Sequence, residues 1–224
     1  MDWRMATQVG IGKLMVSMTF LLASLGNNFA AWAQQPDNGQ HVSFQTGDVN
    51  LDFSRIYVHA FKTGLGHEHA VEGKLKNGKL FLAEGNSEGT LVFDIASFDA
   101  DGSKARMYVG LKGETDESTR RQVNENLLSA DVLDVKRFPT AQFRIANVSQ
   151  TKEGWVMDGE FLLRGRTQRI TVPVTVENVK GWNHVRGKFR IKQTDYGIKP
   201  YTKAFGAVGV ADELLVYGDL FVAP

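Results

Sequence analysis

His67 and His69 are the residues whose type and spacing most directly suggest chemistry. Two residues apart on a strand, they would project from one face with Cα atoms about 6.6 Å apart, close enough for both imidazoles to reach one metal ion or one ligand headgroup. A catalytic zinc site takes three protein ligands and a structural one four. His41, His59, His184, Glu68 and Glu72 are available to complete a set, but none stands at diagnostic spacing. The simpler reading is a pair that caps the end of a sheet and hydrogen-bonds to backbone or to a headgroup. The chain has no cysteine, which excludes thiolate metal sites, a cysteine nucleophile and a disulfide framework. Ser97 with Asp99 lacks a nucleophile elbow, and Asp131 and Asp134 read as loop and capping residues. The glycine-rich stretch Gly206 to Gly209 carries no P-loop lysine pattern. The reading is therefore of a non-enzyme that needs no cofactor.

The elements around these histidines begin with an export signal. Lys13 precedes an uncharged, nearly continuous apolar run from Leu14 to Leu25, and Ala31-Trp32-Ala33 supplies small residues before a cleavage point. A basic flank, a short apolar core and an A-x-A end predict a signal peptide over residues 1–33, cut after Ala33. A bilayer span would need about 20 apolar residues, so no stable membrane insertion is expected after cleavage. With Asp2, Arg4 and Lys13 removed, basic and acidic residues are equal in number, which leaves no electrostatic footprint for nucleic acid. An exported chain without cysteine fits a bacterial periplasm. Residues 34–45, with Pro36, Asp37 and Gly39, read as a flexible tether, and 46–224 as one domain.

Within that domain, turn residues recur at short intervals. Strands are predicted over Ser54–Phe61, Gly89–Ile95, Gln142–Val148, Trp155–Leu163, Gln168–Val176, Val185–Ile191 and Glu213–Val222. Asn77-Gly78 between Val71–Lys76 and Lys79–Ala83 reads as a two-residue hairpin turn. Pro173 points to an edge, a bulge or a barrel seam. Asp116–Leu128 has no Gly or Pro, sets Val123 and Leu127 four residues apart, and can be capped by Asp116 or Ser118, so a helix of about three turns is predicted there. About eight strands without alternating helices make an all-β fold, an antiparallel sheet closed as a barrel or folded as a sandwich.

Four blocks carry a resemblance. They are Ser54–Val58 with His69-Ala-Val-Glu-Gly73 (read as a strand and a glycine-closed turn), Leu128–Pro139 with Ala141-Gln-Phe143, Gly159–Thr167 with Ile170–Val174, and Lys188–Ile191 through Asp195–Ile198, followed by a last strand over Asp212–Leu220. Their order and spacing resemble the YceI-like family of exported bacterial proteins. That resemblance implies a lipocalin-like barrel of about eight antiparallel strands with one or two short helices. It also implies binding of a polyisoprenoid, quinone or related amide lipid. Two departures stand out: the glycine- and histidine-rich Gly64–His69, and an insert over Ala100–Gln122.

An eight-stranded barrel can be filled by its side chains or hold one slender ligand. The candidate cavity lining on the early strands is Ile56, Val58, Leu91, Phe93 and Ile95. The middle strands offer Phe143, Ile145, Phe161 and Leu163, and the late strands Val174, Phe189 and Ile191. His67 and His69 would stand at the headgroup end. Two alternatives remain open at this point: a metal-binding protein that uses the two histidines, and a filled barrel acting through surface contacts of the insert. A homodimer is the assembly to test.

Overall fold

The computed structural model describes residues 43–83, 89–203, 205 and 207–224. The expected signal peptide and all but the end of the expected tether lie outside these residues, as does His41. Strands β1 (Arg55–Gly64), β2 (His69–Lys79) and β3 (Gly89–Ala100) come first, followed by helices α1 (Ser103–Tyr108) and α2 (Glu117–Leu128). Then come β4 (Thr140–Thr151), β5 (Gly154–Leu163), β6 (Arg166–Val179), β7 (Trp182–Lys192), a 3₁₀ turn over Gln193–Tyr196, β8 (Thr202–Lys203) and β9 (Val208–Val222). Each strand pairs antiparallel with its neighbour in the order β1-β2-β3-β4-β5-β6-β7-β9, and β1 pairs with β9 to close the ring. The two-residue β8 adds to the edge of β9. The expected all-β barrel is therefore present.

Alternation explains the ring. Along β3, Leu91, Phe93 and Ile95 are buried while Val92 and Asp94 are only half-buried. The inward set matches across the registers Leu91↔Phe143 and Phe143↔Phe161. Apolar rows from successive strands thus meet inside the barrel. The half of the barrel near the chain's entry is filled, with Val49, Leu80, Val148 and Val222 at most 4% exposed. The entering chain seals this end by hydrogen bonds from the Val49 N–H to the Gly78 carbonyl (3.1 Å) and from the Ala223 N–H to the Asp48 carbonyl (2.9 Å). Phe44, within the expected tether, packs edge-on against Trp182 at 4.7 Å.

Two expected turns are strands instead. Asn77-Gly78 runs on within β2, paired as Asn77↔Val92 and Gly78↔Leu91 next to a register shift. Val49 lies where a Cβ on Gly78 would be, at 2.8 Å, so this glycine serves close packing. Gly73 likewise lies inside β2, with Phe98 at 2.3 Å from the position a Cβ would take. Of the expected edge, bulge or barrel seam, Pro173 marks an edge: it pairs with Val156 of β5, while β6 pairs with β7 only from Val174 onward. Helix α2 forms as read, with the Asp116 carboxylate accepting from the Thr119 N–H at 3.0 Å. The hydrogen bonds from Thr119 and Ser118 bring the Asp116 pKa down to about 2. Helix α1 was not resolved from sequence. It lays Ala105 against Tyr57 and Ala70 on the barrel's outer face, with Tyr108 stacked on Tyr57 at 3.8 Å.

Candidate functional site

The half of the barrel remote from the chain's entry is hollow. A cavity of about 230 Å³ lies between the strand ends and helix α2. Its walls come from Ile56, Val58 and Ala60 on β1, Val71 on β2, Phe93 and Phe98 on β3, Phe161 and Leu163 on β5, Ile191 on β7, and Val210, Leu214 and Val216 on β9. Val123 and Leu127 of α2 cover it, with Val132 and Leu133 from the loop that follows. The helix has no buried residue of its own, because its apolar stripe faces this space. It is fastened to the end of β3. The Ala100 N–H donates to the Asn124 side-chain oxygen at 2.7 Å, Arg120 Nε donates to the Ala100 carbonyl at 3.0 Å, and Arg120 also pairs with Asp99.

The polar groups of the cavity wall are few: His69, Gln122, Asn126, Gln193 and Tyr201. Gln193 is engaged, donating to the Ala211 carbonyl at 2.8 Å. His69 is held from behind by Asp101, its Nδ1 lying 2.7 Å from Oδ2 of a carboxylate whose side chain is fully buried. Arg106 approaches the other Asp101 oxygen at 3.2 Å, and the Ala70 N–H donates to it at 3.0 Å. Burial pushes the Asp101 carboxyl upward. The hydrogen bonds from His69 and Ala70, with the charges of His69 and Arg106, outweigh that and hold it below its usual 3.8. An ionised Asp101 accepts the Nδ1 proton, which leaves Nε2 of His69 without a partner among the described residues. Asp101 itself has φ 59°, a left-handed conformation that Asp tolerates better than most residues.

The twelve apolar residues expected to line a cavity divide into three groups. Ile56, Val58, Phe93, Phe161, Leu163 and Ile191 face the main cavity. Leu91, Phe143, Val174 and Phe189 surround a smaller void of about 40 Å³ deeper in the barrel. Ile95 is packed in the core, and Ile145, also buried, borders an outer groove beside Thr90 and Arg144. The two histidines are separated. β2 begins only at His69, and His67 sits exposed in the preceding loop, because β1 ends at Gly64 and the turn occupies Leu65–Glu68. His59 is bound to Glu68 at 2.9 Å. Among the described residues no three His, Asp or Glu side chains gather as a metal-binding group.

Sequence reasoning missed the cover and the β9 wall. Val123 and Leu127 carried the signal in their four-residue spacing, and Leu214 with Val216 in their alternation. Tyr196 carried none. It packs edge-on against Phe161 at 5.7 Å with its hydroxyl buried and without a hydrogen-bond partner among the described residues, and burial pushes that phenol up to about 12.

Residues 39–220 match the YceI-like domain family. A UPF0312 protein of Serratia proteamaculans is 23% identical over 184 residues, spanning 80% of this chain and 81% of the relative. A UPF0312 protein of Pseudomonas putida is 30% identical over 119 residues, 50% of this chain and 60% of the relative. Among solved structures, BcnA of Burkholderia cenocepacia superposes with a TM-score of 0.56 at 20% identity, covering 79% of this chain and all of BcnA. That likeness concerns the fold.

Proposed function

We propose that this chain, which belongs to the YceI-like domain family, is an exported periplasmic protein that binds the lipophilic chain of an isoprenoid, quinone or related lipid. The observation that carries the reading is the apolar cavity roofed by Val123 and Leu127 with a single oriented imidazole, His69, in its wall. Each buried CH₂ contributes about 0.8 kcal/mol, so one five-carbon unit offers about 4 kcal/mol before the cost of ordering the chain. A space of about 230 Å³ is below the ~300–1,000 Å³ of drug-sized sites. It suits a slim chain end, with longer ligands emerging past α2. With Nδ1 engaged by Asp101, His69 keeps Nε2 as one hydrogen-bonding position for a polar headgroup.

The test is calorimetric titration of delipidated protein with prenyl alcohols of increasing length. Saturable binding with a negative heat-capacity change, insensitive to salt and levelling off with chain length, is expected. Absence of binding at every length would overturn the proposal.

A further inference from the structure

Beside the cavity mouth, three strand ends project together as a tongue. Lys62↔Val210 and Gly64↔Val208 pair β1 with β9, and Lys203↔Val208 adds β8. The tip is tightly drawn: the Leu65 N–H donates to the Ala207 carbonyl at 2.9 Å. A Cβ on Gly64 would lie 2.3 Å from that same oxygen. This tight tip leaves two large apolar side chains in water, Leu65 at 83% and Phe205 at 113% exposure. Phe205, its side chain in water, is held at φ 55°, a strained conformation for a bulky residue.

The charges within these tip segments have one sign. Lys62, Lys199 and Lys203 are exposed, and neither Lys62–His67 nor Lys199–Val210 contains an Asp or Glu. Asp195, four residues before Lys199, is exposed, and the other carboxylates near these segments in sequence are engaged. Glu68 binds His59, Asp212 accepts from the Thr194 N–H and hydroxyl at 2.9 and 2.8 Å, and Glu213 pairs with Arg190. The three lysines lie in the segments that carry Leu65 and Phe205 and have no ion-pair partner among the described residues, Lys203 lying over the Tyr201 ring with Nζ 5.6 Å from its centre. Ala60, Tyr201 and Val210 of the same tongue line the cavity.

We infer that this tongue docks on the surface of an anionic lipid bilayer, with Leu65 and Phe205 entering the interface and Lys62, Lys199 and Lys203 on headgroup phosphates. Two separate apolar side chains in segments whose lysines form no ion pair among the described residues match an interfacial anchor. The inference goes beyond the cavity reading and does not depend on what the cavity holds.

The absence of cysteine allows single-site labelling. Leu65→Cys, Phe205→Cys and, in the β4–β5 turn at the opposite end of the barrel, Lys152→Cys would each carry an environment-sensitive fluorophore. Full-length protein, with and without extracted lipid, is mixed with vesicles of equal parts phosphatidylglycerol and phosphatidylcholine, or of phosphatidylcholine alone. A blue shift at 65 and 205, absent at 152 and confined to the anionic vesicles, is expected. Joint replacement by Lys62→Glu, Lys199→Glu and Lys203→Glu should weaken that response at least about tenfold while leaving the N-terminal apolar run unchanged. Four results would overturn the inference: no shift at the tips, an equal shift at 152, an equal shift on uncharged vesicles, or indifference to charge reversal. Lack of ligand binding in the calorimetric titration, with the tip shift intact, would refute the cavity reading alone.

Discussion

Replacing Ala141 by Leu asks whether the space under α2 is empty and used. Ala141 is 1% exposed, lines the cavity and pairs with Phe93 on β3. A leucine there adds three carbons directed into a void of about 230 Å³. At about 0.8 kcal/mol per buried carbon the ceiling is about 2.4 kcal/mol of added stability. Rotamer strain takes back about 1 kcal/mol, for an expected net gain of about 1 kcal/mol. Urea unfolding of delipidated wild-type and variant chains measures this as a shift in midpoint at constant m-value. In parallel, the variant should lose most of its prenyl-alcohol binding, because the added carbons occupy the ligand's volume. The joint signature is more stability with less binding. A loss of more than about 1 kcal/mol, the usual result of overpacking a filled core, would show that the space does not exist. Higher stability with undiminished binding would place the ligand elsewhere.

Two further perturbations address the supports of the site. Asp101→Asn removes a buried charge from between His69 and Arg106 and should cost about 3 kcal/mol, the low end for a broken buried pair, because Arg106 keeps the carbonyls of Lys112 and Gly113 at 2.7 and 2.9 Å. The folded Asp101 carboxyl lies below its unfolded value, so its contribution is complete above about pH 4 and drains away as pH falls through the folded value. Unfolding curves of Asp101→Asn should accordingly lack that part of the acid limb. Asn124→Ala removes one of the two α2 side chains that hold Ala100, leaving Arg120 in place, and should cost about 1–2 kcal/mol. It should also speed ligand release, measured by stopped-flow dilution, more than it weakens folding of the barrel.

The barrel was legible because period-two alternation is a local signal, and Phe143, Phe161 and Leu91 each show it before they meet. Asn77-Gly78 misled for a physical reason. The dipeptide favours a tight turn in isolation, but Val49 packing on Gly78 and pairing with Leu91 hold it in β2, and neither partner is near in sequence. His67 and His69 were counted as one strand face, yet the strand starts at His69, since β1 ends at Gly64 and the turn occupies Leu65–Glu68. The division of the barrel into filled and hollow halves was not readable from the chain. It depends on which inward residues meet α2 and which meet the entering segment around Val49. The tether of His69 to Asp101 joins residues 32 apart in sequence and likewise left no local trace.

The central claim is that the hollow half holds the chain of a lipid. Its most direct test is mass spectrometry of an organic extract from protein purified from its native host without detergent, beside an extract of the Ala141→Leu variant prepared identically. A single class of isoprenoid or related lipid, near one per chain in the wild type and depleted in the variant, is the predicted result. A lipid-free extract from folded wild-type protein, or equal lipid in both, would contradict it.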